Sequence, residues 1–149
     1  MRIEDLKVAI YADGADIEKM KQMSRLPYIR GFTTNPTLMR KAGVTDYVSF
    51  AKQALAEIPD RPVSMEVFAD DFEKMEKEAR EISSWGGNVF VKIPVMTTRG
   101  ESSIPLIRKL SAEGLKLNIT AVFTTEQVRG IVDAFAEGTE NIVSVFAGR

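Results

Sequence analysis

Lys92 stands inside Asn88-Val-Phe-Val-Lys-Ile-Pro94, a run that is otherwise apolar after Asn88. A lysine is almost never fully buried without a partner or a task. Burial disfavours the ammonium form, and a neutral amine is the nucleophile that Schiff-base chemistry requires. The same residue could instead form an inert ion pair with Glu66 or Asp13, or carry its charge to a strand end along its aliphatic stem. Glu66 lies within Val63-Ser-Met-Glu-Val-Phe68, and Glu is disfavoured inside strands. Asp13 closes Val8-Ala-Ile-Tyr-Ala-Asp13 ahead of Gly14, where a turn or helix-cap aspartate is the plainer reading. One carboxylate near an amine can move protons, and two can divide acid and base roles. Thr33-Thr-Asn35-Pro36 reads first as a strand exit with proline opening the next turn. Asn118, Thr120 and Ser144 are, singly, ordinary interior hydrogen-bond partners. Arg149 is either a surface residue or a bidentate phosphate ligand.

Composition narrows the chemistry further. The chain has 149 residues, no cysteine and no histidine. Disulfides, thiolate nucleophiles, Cys-ligated metals, imidazole bases and Ser-His-Asp triads are therefore excluded. Lys, Asp, Glu, Tyr, Ser and Thr remain as reactive groups. A net charge of -1 argues against a nucleic-acid partner, which calls for a basic face. No apolar run approaches the roughly 18 residues of a membrane span. Met1 to Lys7 lacks the apolar core of a signal peptide, and the absence of cysteine is compatible with a reducing compartment, so a cytoplasmic location is expected.

Six short β-rich runs must position these groups: Val8–Asp13, Gly31–Asn35, Val63–Phe68, Asn88–Ile93, Leu117–Phe123 and Asn141–Phe146. Helix patterns fill the intervals. Asp16 caps Ile17–Ser24, with Met20 and Met23 on one face. Thr45 precedes Tyr47–Glu57, with Val48, Ala51 and Leu55 on a stripe. Asp70 or Asp71 opens Phe72–Ser84, with Phe72, Met75, Ala79 and Ile82 in phase. Ile104–Ala112 follows Ser102 and Ser103 and stops at Gly114. Thr124 or Thr125 caps Glu126–Ala136, with Val128, Ile131, Val132 and Phe135 apolar.

This alternation is that of parallel βαβ units, read as one α/β domain over residues 1–149. Asp13-Gly-Ala-Asp16 is not the glycine-rich turn of a dinucleotide fold. Strand parity favours a (β/α)8 TIM-type barrel. Residues two apart share a strand face. Val89, Val91 and Ile93 then oppose Phe90 and Lys92; Leu117, Ile119 and Ala121 oppose Asn118 and Thr120; Val63, Met65 and Val67 oppose Ser64 and Glu66. Nearly every strand keeps one apolar face for helices and places a polar group late on the other, toward the rim where such barrels react. The chain ends at Arg149 after six of the eight expected units, so it reads as six-eighths of a longer protein or as a truncation, with association through the open edges into a homo-oligomer expected.

Gly31-Phe-Thr-Thr-Asn-Pro-Thr-Leu38, Ser64-Met-Glu-Val67, Val91-Lys-Ile-Pro94, Leu117-Asn-Ile-Thr-Ala-Val-Phe123 and Ser144-Val-Phe-Ala-Gly-Arg149, in that order, resemble the transaldolase family across essentially the whole chain. The resemblance implies a class I aldolase-type barrel in the pentose phosphate pathway, with sugar phosphates as substrates and no metal or organic cofactor. It implies that Lys92 is the Schiff-base lysine and Asp13 the acid/base at the hydroxyl of the cleaved carbon–carbon bond. Glu66 and Thr120 would hold the water that relays protons. Asn35, Asn118 and Ser144 would bind donor hydroxyls, Thr33 would support them, and Arg149 would grip phosphate. Related fructose-6-phosphate aldolases carry Gln where this chain has Glu66 and Tyr where it has Phe146, so both positions side with transaldolase. The family's further phosphate-binding Ser and Arg fall beyond Arg149, and the loop Met96–Ser103 is longer than in the short relatives. The expected reaction moves a dihydroxyacetone unit from a ketose phosphate to an aldose phosphate. The alternatives are an aldolase releasing free dihydroxyacetone and an inactive fragment.

Overall fold

The computed structural model describes residues 2–146. Its contacts divide into two compact units. The first holds the chain up to Met65 together with Trp85–Val89; the second holds Glu66–Ser84 and the chain from Phe90 onward.

In the first unit a 3-10 turn, Ile3–Asp5, precedes strand β1 (Ile10–Asp13), helix α1 (Ile17–Ser24), β2 (Ile29–Thr33), α2 (Pro36–Lys41), α3 (Tyr47–Glu57) and most of β3 (Val63–Glu66). Asp16 caps α1 by accepting from the Lys19 N–H at 3.1 Å, as its side chain and position dictate. Met20 is buried, but Met23, expected on the same face, is exposed. The cap of α3 is Asp46 rather than Thr45. Its carboxylate accepts from the Ser49 N–H at 3.0 Å and from the Ser49 hydroxyl at 2.7 Å, and a negative charge suits the positive helix end. Ala51 and Leu55 are buried as expected, but Val48 is exposed. The short helix α2 replaces the expected turn, because Pro36 fixes the first helical φ and Asn35 caps it.

The strands pair in parallel, with Tyr11 opposite Gly31, Asp13 opposite Thr33 and Thr33 opposite Ser64. Gly31 has no alternative: a Cβ there would run into the Tyr11 ring and lie 2.8 Å from the Pro62 carbonyl. At the far end of α3, Asn88 Nδ2 donates to Ile58 O at 2.7 Å and, at longer range, to Leu55 O and Arg61 O. One amide thus satisfies carbonyls that the end of α3 leaves without helical partners.

The second unit contains the end of β3, α4 (Phe72–Ser83), β4 (Val89–Pro94, entered from the first unit), α5 (Ile104–Ala112), β5 (Leu117–Val122), α6 (Thr125–Val132) and β6 (Asn141–Val145). Asp71 caps α4, whose Met75, Ala79 and Ile82 are buried. Gly114 follows α5 at φ +86°, the left-handed position expected of a glycine just past a helix. Helix α6 ends at Val132, four residues short of the expected Ala136. The chain is drawn away where the Ala136 N–H donates to Ser111 Oγ at 2.8 Å, while Ala134 and Phe135 make only tighter i to i−3 bonds. Val132 is consequently exposed.

Strand β4 is buried from Val89 to Ile93, as in a sheet covered on both faces. It pairs in parallel with β5, Lys92 opposite Asn118 and Pro94 opposite Thr120. Strand β5 pairs in parallel with β6 up to Ile119–Val143, then shifts register before Val122–Val145. Ala121, expected to share a face with Leu117 and Ile119, is instead the irregular residue, at φ +57°. Val122 takes its place in the core. Within each unit strand order follows chain order, with helices between strands. This is the architecture of a partial TIM-type (β/α) barrel, with six parallel strands among the described residues.

Candidate functional site

In the second unit polar residues of four strands share one face. Lys92 is 6% exposed. Its ammonium lies 3.4 Å from Glu66 Oε2. The Val67 N–H donates to Lys92 O at 3.1 Å, which sets the end of β3 alongside β4 with the same offset that pairs β4 with β5. Of the two plain readings of Lys92, snorkelling to a strand end is ruled out by its burial at mid-strand. The pairing with Glu66 is present, so the lysine lies beside a group able to exchange a proton with it.

Asn118 lies opposite Lys92 and is fully buried; its Oδ1 accepts from the Ser144 hydroxyl at 2.7 Å. Two residues along β5, Thr120 is 3% exposed, and its hydroxyl is buried without a hydrogen-bond partner. Buried polar groups are normally satisfied, so an orphan hydroxyl on this face is a place for a water or a substrate oxygen.

Two loops frame the strand ends in this unit. Glu78 on α4 accepts from the Phe68 and Ala69 N–H groups at 2.7 and 3.0 Å. Asp70 next to them accepts from the Thr98 N–H at 2.8 Å and from the Thr98 hydroxyl. Those bonds, the side-chain one first, hold the Asp70 carboxyl below its ordinary value. The long loop after Lys92 is thereby fastened, and it closes on itself through a Met96–Ser102 bridge and the buried Thr97. Sequence reasoning weighed Asp70 only as a helix cap. Its adjacency to a second aspartate, Asp71, was the one available sign that the two divide their tasks.

In the first unit Asp13 Oδ1 accepts from the Thr33 hydroxyl at 2.8 Å. Asp13 is exposed and caps no helix, since Asp16 does that. Asn35 uses its Oδ1 to accept from the Leu38 N–H at 2.9 Å. Its Nδ2 is the part left for a ligand. Ser64 is fully buried on the Thr33 face and joins this set. Its alternation with Glu66 in Val63-Ser-Met-Glu66 carried that information in the sequence. Arg149 lies outside the described residues.

A sequence model of the transaldolase/fructose-6-phosphate aldolase family matches residues 10–149. A probable transaldolase of Dehalococcoides mccartyi is 42% identical over 94% of this chain and 61% of its own length. One from Methanococcus maripaludis is 42% identical over 93% and 60%, and one from Listeria monocytogenes 37% over 93% and 59%. The chain thus spans about three-fifths of these relatives. A solved structure titled "QR15, an Aldolase" matches with a TM-score of 0.56 over 93% of this chain and 69% of that one; at 17% identity it supports the fold alone. No helix among the described residues is long and apolar enough to cross a membrane. With that match over residues 10–149 and these relatives, the chain belongs to the transaldolase/fructose-6-phosphate aldolase family.

Proposed function

We propose that this chain carries the Schiff-base centre of a transaldolase. The observation that supports it best is Lys92, buried at the middle of β4 with its ammonium 3.4 Å from Glu66. In this reading Glu66 accepts a proton from the ammonium, and the amine adds to the ketone carbon of a ketose phosphate. The carbinolamine oxygen then takes up a proton and leaves as water, giving a protonated imine. Asp13 removes the proton of the hydroxyl next to the scissile bond, the carbon–carbon bond breaks, and its electron pair moves into the imine as an enamine. An aldose phosphate leaves. The enamine then attacks the aldehyde of a second aldose phosphate, and hydrolysis frees Lys92. Asn118, Ser144, Asn35 and Thr33 bind or support donor hydroxyls in this scheme, and Arg149 binds phosphate.

Glu66 and Phe146 favour transfer over simple aldol cleavage, because the related fructose-6-phosphate aldolases carry Gln and Tyr there. Free dihydroxyacetone released from fructose 6-phosphate without an acceptor aldehyde would instead support the aldolase reading. The deciding experiment is intact-mass analysis and peptide mapping after borohydride reduction in the presence of fructose 6-phosphate or dihydroxyacetone. One adduct at Lys92 is expected, and none in Lys92→Arg, whose guanidinium stays protonated. Adducts spread over surface lysines would overturn the assignment. Asp13→Asn is expected to keep the adduct while slowing cleavage, because imine formation does not use that carboxylate.

A further inference from the structure

Among the described residues Ala121 alone adopts a positive φ without being glycine. A left-handed backbone crowds Cβ against the carbonyl, and an alanine held there signals a constraint from its surroundings. On the β4 side the ladder is undisturbed: Pro94 faces Thr120, and the Val95 N–H donates to Thr120 O at 2.9 Å. On the β6 side Ile119 faces Val143 and Val122 faces Val145, so Thr120 and Ala121 together oppose the single residue Ser144. This is a bulge with one inserted residue, a device that re-aims side chains beside functional sites.

The insertion decides which hydroxyl bonds to what. Without it, the register Ile119–Val143 would continue with Thr120 opposite Ser144, two hydroxyls on one face. In the structure Ser144 Oγ donates to Asn118 Oδ1 at 2.7 Å, and the buried Thr120 hydroxyl is left without a partner. Thr120 shares the face of Lys92, since Pro94, its opposite number, lies two residues beyond the lysine.

We propose that the bulge at Ala121 is a positioning device that keeps Ser144 away from Thr120, so that the Thr120 hydroxyl remains available for proton relay during imine formation at Lys92. The inference rests on the Schiff-base reading above. In that step the proton that Glu66 takes from the ammonium must reach the carbinolamine oxygen before water leaves. A hydroxyl that donates one proton while accepting another, with or without a bridging water, passes it on with no net change.

Deleting Ala121 tests this directly. The remaining strand alternates cleanly, Leu117, Ile119 and Val122 on one face and Asn118 and Thr120 on the other, so a paired β5 is retained. With dihydroxyacetone and borohydride, the rate of adduct formation at Lys92 is expected to fall about tenfold or more in the deletion, a loss in line with small misplacements of catalytic groups. Ala121→Gly, which adopts positive φ freely, is expected to keep the rate within about twofold. In a Thr120→Ala background the deletion should add less than about twofold, because the bulge acts through the missing hydroxyl. A deletion chain that is folded by circular dichroism and reacts at the parent rate overturns the proposal. So does a loss that multiplies in full with that of Thr120→Ala, or a loss in Ala121→Gly equal to that of the deletion. If the deletion does not fold, Ala121→Val, whose branched side chain resists positive φ, takes its place in the same cycle; unfolding of both also overturns it, since the bulge would then serve stability alone. Absence of any Lys92 adduct in the parent chain sinks the Schiff-base reading and this proposal with it, whereas a parent adduct with unaffected variants sinks this proposal only.

Discussion

Replacing Glu66 by Gln changes the charge beside Lys92 and little else, because the two side chains share shape and length. Lys92 keeps 8% of its side-chain surface exposed and Glu66 20%, with 3.4 Å between charges. Breaking a buried ion pair costs about 3 to 5 kcal/mol, because one charge remains without its counterion. Partial solvation of Glu66, and the dipole of the substituted amide, reduce this to about 2 to 3 kcal/mol. For a domain of this size about 2 to 4 °C in Tm accompany each kcal/mol, so a fall of about 5 to 10 °C is expected. Lys92→Met costs less. It leaves Glu66 without its counterion, but that carboxylate is the more exposed of the two groups and keeps part of its hydration, while the apolar stem fills the space of the lysine. Its Tm should lie between those of Glu66→Gln and the parent while borohydride trapping disappears. Thermal melts by circular dichroism, run beside the trapping assay, read both quantities. A Glu66→Gln chain that melts with the parent, or a Lys92→Met chain that melts below Glu66→Gln, would refute the view that each charge depends on the other and the more buried Lys92 depends on it more.

Asn88→Ala should destabilise the first unit by about 1 to 2 kcal/mol in chemical denaturation, because the carbonyls of Ile58, Leu55 and Arg61 lose a shared donor; an unchanged denaturation midpoint would mean that water replaces the amide without loss. Asp70 makes a pH-dependent contribution whose sign is fixed by its partners. Its folded-state carboxyl is held below the ordinary value by Thr98, so the stabilisation is present at neutral pH, above the unfolded value, and is lost as pH falls through the depressed folded value. In hydrogen exchange extrapolated across pH, protection of the Thr98 amide should therefore decline at acid pH in the parent. It should be low and pH-independent in Asp70→Ala, and equal protection in both chains would remove Asp70 as the fastener of the post-lysine loop.

The strands and helices were largely legible because their signals are local. Alternation around Lys92 and around Glu66 put both on the face opposite the apolar residues, and the helix stripes of Ile17–Ser24, Tyr47–Glu57 and Ile104–Ala112 match the observed spans. The lack of His and Cys fixed which chemistries remained. Local signals failed where a distant partner competes for a backbone group. Ser111 takes the Ala136 N–H and ends α6 early, and nothing within 125–136 announces it. Asn35, read from its motif as a ligand residue, also caps a helix too short to show periodicity. Asp46 rather than Thr45 caps α3 because the carboxylate is the group that reaches Ser49.

Composition and strand parity thus determined the class of fold and the face on which Lys92 lies, since two-residue and 3.6-residue periods are properties of the backbone itself. Only tertiary structure decided which polar groups satisfy one another. Ser144 bonds Asn118 and leaves Thr120 alone because β5 carries one residue more than β6 between two fixed pairs, Ile119–Val143 and Val122–Val145. That register depends on packing across neighbouring strands roughly 25 residues apart in the chain, a separation over which no sequence period carries information.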